Sequence, residues 1–140
     1  MTMKTILCLI FVGSSFLVSS AYACRCVAPT HISAYTDADI VVKAVVKDVI
    51  ITPSGEGSTG ILEVSQSWKS DSPVRLAVSS LTNCSFPWEK DKEYVLYLIM
   101  DSTGLYSTGR CLGNISIDDA KQTLEWLKNN GKSETVITSK

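Results

Sequence analysis

The stretch ADIVVKAVVKDVII, residues 38–51, is rich in valine and isoleucine, whose branched side chains favour the extended backbone of a β-strand. It is long enough to form one bent strand, and the charged residues Lys43, Lys47 and Asp48 interrupt its apolar run. Most of the chain that follows shows the same strand-like pattern. The sequence therefore predicts a protein built mainly of β-strands.

The break after this strand, residues 53–60, ends in GEGSTG, which formally matches the G-x-G-x-x-G pattern of dinucleotide-binding loops. Such a loop must open a helix. The residues that follow, ILEVS at 61–65, instead favour a strand. We therefore predict a hairpin loop here rather than a nucleotide-binding loop.

Further strands are predicted at residues 74–80, 93–100 and 104–108, separated by turn-forming residues. One helix is predicted near the C-terminus, where Ser116 and Asp119 form a start that resembles a capping box. Its apolar face consists of Ile117, Ala120, Leu124 and Leu127, and the helix is predicted to end at Gly131. The predicted fold is all-β with a C-terminal helix, a five-stranded barrel like the oligonucleotide/oligosaccharide-binding (OB) fold.

Residues 1–23 are predicted to be a secretory signal peptide. Their apolar runs are too short to span a bilayer easily, and the small residues Ala21 and Ala23 mark a cleavage site. Cleavage would make Cys24 the first residue of a secreted, extracellular protein. Two alternatives stay open: an uncleaved membrane anchor, and a bacterial lipoprotein, periplasmic or lipid-anchored, with its lipid on Cys24.

The rest of the chain is predicted to form one domain, residues 24–131, followed by a polar tail, residues 132–140. The formal net charge is −1 and the lysines are scattered, so the chain has no basic surface suited to nucleic acid or to an anionic membrane. We therefore expect neither as a partner. No membrane span is expected in the domain, which we expect to be a monomer.

Four cysteines follow the predicted cleavage site: Cys24, Cys26, Cys84 and Cys111. An even number of cysteines in a short exported chain predicts a disulfide framework. Cys24 and Cys26 are too close along the chain to bridge each other, so each must pair with Cys84 or Cys111. Closing a loop of about 60 residues stabilises a domain by about 4 kcal/mol in the chain-entropy model. The N-terminus is therefore expected to be rigid.

The chemical groups argue against an enzyme. His31 is the only histidine and has no nucleophile motif around it, so we expect a surface or turn residue. The pairs Asp37 with Asp39 and Asp118 with Asp119 are better explained by turns and by a helix start than by catalysis. The C-x-C sequence lacks the second close cysteine pair of a structural zinc site, so no cofactor of its own is expected.

Several segments together resemble a known family. These are CRCVAP at 24–29, DIVVKA at 39–44, Cys84 ahead of EYVLY at 93–97, and Cys111 ahead of a helix. This combination resembles the inhibitory domain of the tissue inhibitors of metalloproteinases, which is a netrin-like module, over nearly all of residues 24 to 130. The resemblance implies an OB-like barrel with the bridges Cys24–Cys84 and Cys26–Cys111.

The resemblance also implies a function: inhibition of a secreted or cell-surface zinc metalloproteinase. The α-amino group and carbonyl oxygen of Cys24 would chelate the zinc of that protease, since zinc in an open catalytic site accepts nitrogen and oxygen ligands. Arg25 would enter the pocket beside the zinc. The remaining contacts would come from Cys26, Val27, Ala28 and Pro29 and from a second edge formed by Thr82, Asn83, Cys84 and Ser85.

Arg25 keeps an alternative open. The family commonly has a small hydroxyl residue at this position, and a charged side chain in an apolar pocket carries a desolvation cost unless a carboxylate meets it. The alternative is a secreted netrin-like binding module that inhibits no protease. Asn83 and Asn114 both match the N-x-S glycosylation pattern, and a glycan on Asn83 would crowd the second edge.

Overall fold

The computed structural model describes residues 24–81 and 84–138. The predicted signal peptide, residues 1–23, lies outside the described residues. The elements are, in chain order, helix α1 (His31–Asp37), strands β1 (Ile40–Ile51), β2 (Ser58–Trp68), β3 (Ser72–Pro73), β4 (Arg75–Ser80), β5 (Glu93–Met100), β6 (Tyr106–Ser107) and β7 (Ile115–Ser116), a 3-10 helix (Ile117–Asp119), helix α2 (Lys121–Asn130), and strands β8 (Ser133–Glu134) and β9 (Val136–Ile137).

Five of the described strands form a closed barrel. Strand β1 pairs antiparallel with both β2 and β5, and β2 continues the sheet by pairing with β4. Strand β6 closes the circle, because it pairs parallel with β4 and antiparallel with β5. The register of β1 against β2 shifts at Lys43/Ala44 and at Val46/Asp48, which lets the long strand bend. The predicted bent strand and the mostly-β barrel are therefore confirmed.

The barrel interior is filled by alternate residues of its strands, as the period of two requires. Ile40, Val42, Ala44 and Val46 of β1 all point inward and are fully buried. The other buried members of this core are Leu62, Val64, Leu76, Val78, Phe86, Tyr94, Leu96 and Leu98.

A second apolar cluster lies outside the barrel. Helices α1 and α2 cover Val41, Trp68, Val95 and Tyr97, which point outward from β1, β2 and β5. The two helices meet through Trp126, whose ring lies 5.4 Å from that of Tyr35 and 5.3 Å from that of His31. One outer side of the barrel is thus closed off from water.

Helix α1 was not predicted from the sequence, although it has an N-cap signal. Thr30 is the N-cap, and its hydroxyl accepts a hydrogen bond of 3.2 Å from the backbone N–H of Ser33. His31, expected in a turn or on the surface, lies half-buried in this helix. Lys69 holds the other end, since its ammonium donates to the carbonyl oxygens of Tyr35 and Thr36 at 2.7 and 3.1 Å.

The predicted start of the C-terminal helix was wrong. Helix α2 begins at Lys121, after a 3-10 turn over Ile117–Asp119, and Ser116 makes no capping hydrogen bond with its side chain. The Ser116 hydroxyl is instead buried, without a hydrogen-bond partner among the described residues. Gly131 ends the helix as predicted, and its N–H donates to the carbonyl of Leu127 at 2.7 Å.

The predicted hairpin is confirmed, because residues 52–57 connect the antiparallel strands β1 and β2, but its loop is shorter than predicted, since residues 58–60 already pair as the start of β2. The strand predicted at 104–108 is shorter, since only Tyr106–Ser107 pair as β6. The polar tail is not a separate segment: β8 pairs with β2, and β9 pairs with β3. Within the described residues, no helix has the length and apolar character needed to cross a membrane.

Candidate functional site

The N-terminal segment, residues 24–30, runs over the barrel without regular secondary structure until α1 begins. Two disulfides fasten it. Cys24 is bonded to Cys84, with the Cα atoms 5.6 Å apart, and Cys26 is bonded to Cys111, with the Cα atoms 5.1 Å apart. These are the pairings that the family resemblance implies. Both bonds attach the start of the domain to residues far along the chain.

The two attachment points lie next to each other in space. The backbone N–H of Arg110 donates to the carbonyl oxygen of Cys84 at 3.0 Å, so the loop carrying Cys111 runs beside Cys84. Because only one residue separates Cys24 from Cys26, the two cysteines can bond to these two neighbouring loops. The bridges and this hydrogen bond join three backbone segments into one unit.

Asn114 fixes the loop that carries Cys111. Its side-chain oxygen accepts from the backbone N–H of Tyr97 at 2.8 Å, and its amide nitrogen donates to the Thr108 hydroxyl at 2.8 Å and the Gly109 carbonyl at 3.0 Å. Thr108 is buried and donates in turn to the Tyr97 carbonyl at 2.9 Å. The Asn114 amide is thus used inside the fold, which argues against a glycan on it.

Pro29 seats the end of the segment against the domain. Gly113 makes the close approach possible: its φ is +90°, and a Cβ atom here would lie 3.1 Å from Pro29 Cγ and 3.0 Å from Ala34 Cβ. A small cavity of about 60 Å³ lies between Pro29, helix α1 and Leu112. Tyr97 lines this cavity.

The hydroxyl of Tyr97 is buried and has no hydrogen-bond partner among the described residues. Burial raises the pKa of this phenol to about 12, because the charged phenolate would lose its hydration. The ring therefore acts as a packing surface beneath the N-terminal segment at any pH near neutrality.

The other side of the N-terminal segment faces solvent. Val27 is 94% exposed, and Arg25 and Ala28 are exposed as well, whereas Cys24 and Cys26 are half-buried. Arg25 takes part in no ion pair with any described residue. The bridges thus hold a row of accessible side chains in a fixed position, which is unusual for the start of a domain.

The second predicted contact edge is described in part. Cys84 and Ser85 are half-buried beside the N-terminal segment, and the backbone N–H of Phe86 donates to the Ser80 hydroxyl at 2.7 Å. Thr82 and Asn83 lie outside the described residues. The structure therefore brings Cys24, Cys26, Cys84 and Ser85 together.

The described residues contain no group of three or more His, Cys, Asp or Glu placed to hold a metal ion. Sequence reasoning identified the segment and its bridges, but it missed Gly113 and Tyr97, which support them, and treated Asn114 only as a glycosylation pattern.

A scan against protein-family models finds none that matches this chain, and a search of curated proteins finds no match either.

Proposed function

We propose that the mature chain begins at Cys24 and is a secreted inhibitor of zinc metalloendopeptidases. The observation that carries this proposal is the double attachment of an exposed N-terminal segment, through Cys24–Cys84 and Cys26–Cys111. Such a segment loses little conformational entropy when it enters a cleft, because its backbone is already ordered.

The chemistry of inhibition is bidentate chelation of the partner's zinc. The free α-amino nitrogen and the carbonyl oxygen of Cys24 form a five-membered ring with the metal and displace the water on which hydrolysis depends. The amine must be neutral to bind. Since the usual pKa of an α-amino group is about 7.7 to 8.0, losing this proton near neutral pH costs little free energy.

Arg25 sets the kind of protease that this site fits. Its side chain is exposed and has no ion-pair partner among the described residues, so it is available to the pocket beside the zinc. An arginine entering a purely apolar pocket would lose its hydration without compensation. We therefore propose a target whose pocket carries a carboxylate that pairs with the guanidinium.

The barrel fits the same proposal. We propose that it belongs to the OB class, which is compatible with a first strand paired on both edges and with closure through the parallel pair β4 and β6. The netrin-like assignment rests on the sequence resemblance of residues 24–130. The second candidate function is a netrin-like binding module without inhibitory activity, and Arg25 is the residue that favours it.

The decisive experiment uses the exported protein, with its N-terminus determined by mass spectrometry. The wild-type chain should inhibit at least one zinc endopeptidase in a panel at micromolar concentration. One alanine added before Cys24 should abolish inhibition, because the former amine becomes an amide, which is a poor zinc ligand. Its melting temperature should stay almost unchanged, since both bridges remain.

One alanine added after Lys140 is the matched control and should inhibit like the wild type. Arg25→Thr should widen the range of inhibited proteases, since it removes the cost of burying the charge. If neither the wild type nor Arg25→Thr inhibits any member of the panel, the inhibitor proposal is wrong and the binding module takes its place.

A further inference from the structure

The outer surface of the barrel has two contrasting sides. The helices cover one side, over β5, the start of β1 and the end of β2. On the other side, cross-strand partners form a continuous row: Ile50 pairs with Thr59, Thr59 with Ser79, Ser79 with Ser107, and Ser107 with Ile99. Cross-strand partners project to the same side of a sheet, so these five side chains lie together.

All members of this row point away from the core and are exposed or half-buried. Leu105 lies immediately before strand β6, two residues before Ser107, and extends the row. We call these six residues, Ile50, Thr59, Ser79, Ile99, Leu105 and Ser107, the bare face. Leu105 is 65% exposed, Ile50 55% and Ile99 40%. None of the six is charged: three are exposed apolar residues, and the three between them, Thr59, Ser79 and Ser107, carry small hydroxyl side chains. Such a surface can be covered by a partner without burying a charge.

The bare face is held in shape by its turns. Leu105 follows a turn in which the Asp101 carboxylate accepts from the N–H of Thr103 at 2.8 Å and from the N–H of Leu105 at 3.1 Å. Ile50 lies near the end of β1, where β1 stays paired with β2 up to the last pair, Ile51 with Ser58. The surface is therefore ordered before any partner arrives, which lowers the entropic cost of binding.

The bare face is continuous with the N-terminal segment. Ile99 lines the same cavity as Pro29 and Cys111. After strand β6, the N–H of Thr108 donates to the Ser79 carbonyl at 2.9 Å. Arg110, only two residues later, donates to the Cys84 carbonyl, so the chain passes directly from the bare face to the first disulfide. One protein lying across the N-terminal segment can therefore extend onto the bare face.

The N-terminal segment alone is too small for a stable complex. A specific interface buries about 800 Å² on each partner and uses about 20 to 30 residues a side. The segment offers few exposed side chains, namely Arg25, Val27, Ala28 and Thr30. The remaining area must come from adjoining surfaces. Cys84 and Ser85 of the second contact edge are only half-buried and add little, whereas the bare face is uncharged and adjoins the segment through Ile99.

We propose that the bare face is a second docking surface for the target protease, which it meets through an uncharged, partly apolar region beside the zinc cleft. This inference rests on the proposed inhibitory function. The contact would begin at Ile99, beside the cavity that Pro29 lines, and would end at Ile50, the last residue at the other end of the row.

The test compares two isoleucines of equal exposure. Ile50 is 55% exposed and belongs to the bare face, whereas Ile137 is 54% exposed and lies on β9, outside it. With a protease that the wild type inhibits, Ile50→Asp should weaken inhibition by about tenfold or more, mainly through faster dissociation. Ile137→Asp should change it by less than about twofold. Leu105→Asp, in a turn rather than a strand, repeats the test where folding is not at risk.

The outcomes separate the two proposals. If the wild type inhibits and both Ile50→Asp and Leu105→Asp inhibit equally well, the bare face is not a docking surface, although the inhibitory function stands. If the wild type inhibits nothing, both proposals fall. If sedimentation shows a dimer that Ile50→Asp dissociates, the face belongs to a second copy of the chain, which also overturns this inference.

Discussion

The N-terminal segment, residues 24–30, and the C-terminal segment, residues 131–138, both cross the outside of the barrel but are held by different interactions. Two disulfides fasten the first, and Pro29 packs against the domain. Backbone hydrogen bonds hold the second, such as the N–H of Ser72 to the Thr135 carbonyl and the N–H of Val74 to the Ile137 carbonyl, both 3.0 Å. Both β8 and β9 are only two residues long.

The stronger attachment lies at the end of the described chain where the proposed function needs a fixed backbone position. A hydrogen bond can open and be replaced by one to water at little cost, so a segment held by hydrogen bonds and by the packing of one side chain, Val136, opens more readily than a segment held by disulfides. A covalent bond does not open in this way. The proposed function requires the backbone of Cys24 to meet a metal within a few tenths of an ångström, and the covalent attachments are at this end of the chain.

The largest effect should follow from removing a covalent attachment. Cys26→Ser with Cys111→Ser should lower the free energy of unfolding by about 3.5 kcal/mol, since with Cys24–Cys84 intact this bond closes a loop of about 30 residues, from Cys26 through the first bridge to Cys111. Inhibition should weaken as well, because the segment must then be ordered on binding. Urea denaturation and inhibition assays measure both. An equal loss from deleting residues 132–140 would contradict the comparison.

Asn114→Ala should have the next largest effect. It removes three hydrogen bonds that hold the loop of Cys111 and leaves the N–H of Tyr97 without its acceptor. We expect a loss of about 3 kcal/mol, since each such bond contributes about 1 kcal/mol and an unpaired buried group adds a cost. Asn130→Ala, which loses an exposed hydrogen bond to the Trp126 carbonyl, is the control and should be nearly neutral.

Alkaline pH should act on the packing beneath the N-terminal segment. The pKa of Tyr97 is raised to about 12, above the value of about 10 that an unfolded tyrosine has. The resulting stability is therefore fully present below pH 10 and lost as the pH rises towards 12, with a total of about 2 to 3 kcal/mol. Tyr97→Phe should flatten this part of the stability profile. A profile that is the same in both proteins would show that Tyr97 is not responsible.

Deleting residues 132–140 should have the smallest effect on inhibition. It should lower stability, because it removes the half-buried Val136 and the acceptors of the N–H groups of Val74 and of the buried Ser72, but by less than the loss of a disulfide. Inhibition should be unchanged, because the C-terminal segment contacts neither the N-terminal segment nor the bare face through any hydrogen bond among the described residues. Thermal unfolding and an inhibition assay of the truncated chain measure the two quantities. A loss of inhibition would show that the two ends are coupled.

The strands and the covalent framework could be predicted because their signals are local or combinatorial. Alternating Val and Ile residues specify β1 without reference to the rest of the chain, and an even set of cysteines after a predicted signal peptide leaves few pairings. Helix α1 was missed because its seven residues are short and carry little apolar periodicity. Its stability comes from packing on Tyr97 and Trp126 and from the ammonium of Lys69.

The start of helix α2 shows the limit of a local signal. Ser116 and Asp119 match a capping box, yet Ile115–Ser116 pair with β5 as strand β7, and this pairing places the Ser116 side chain in the interior. The helix can therefore begin only after the chain has left the sheet, at Lys121. Strand pairing over a long sequence separation overrode a preference carried by four residues.

A β-barrel, the hairpin after β1 and the bridging of Cys24 and Cys26 to distant cysteines could be predicted from residue types and their spacing. The surfaces that surround the N-terminal segment depend on contacts that form only in the folded chain. Asn114, Gly113 and Tyr97 support this segment through contacts between residues distant in sequence, and the bare face exists only because register brings Ile50, Ser79 and Ile99 from separate strands into one row. Register is a property of the assembled sheet, since a shift of one residue would turn each of these side chains to the other side.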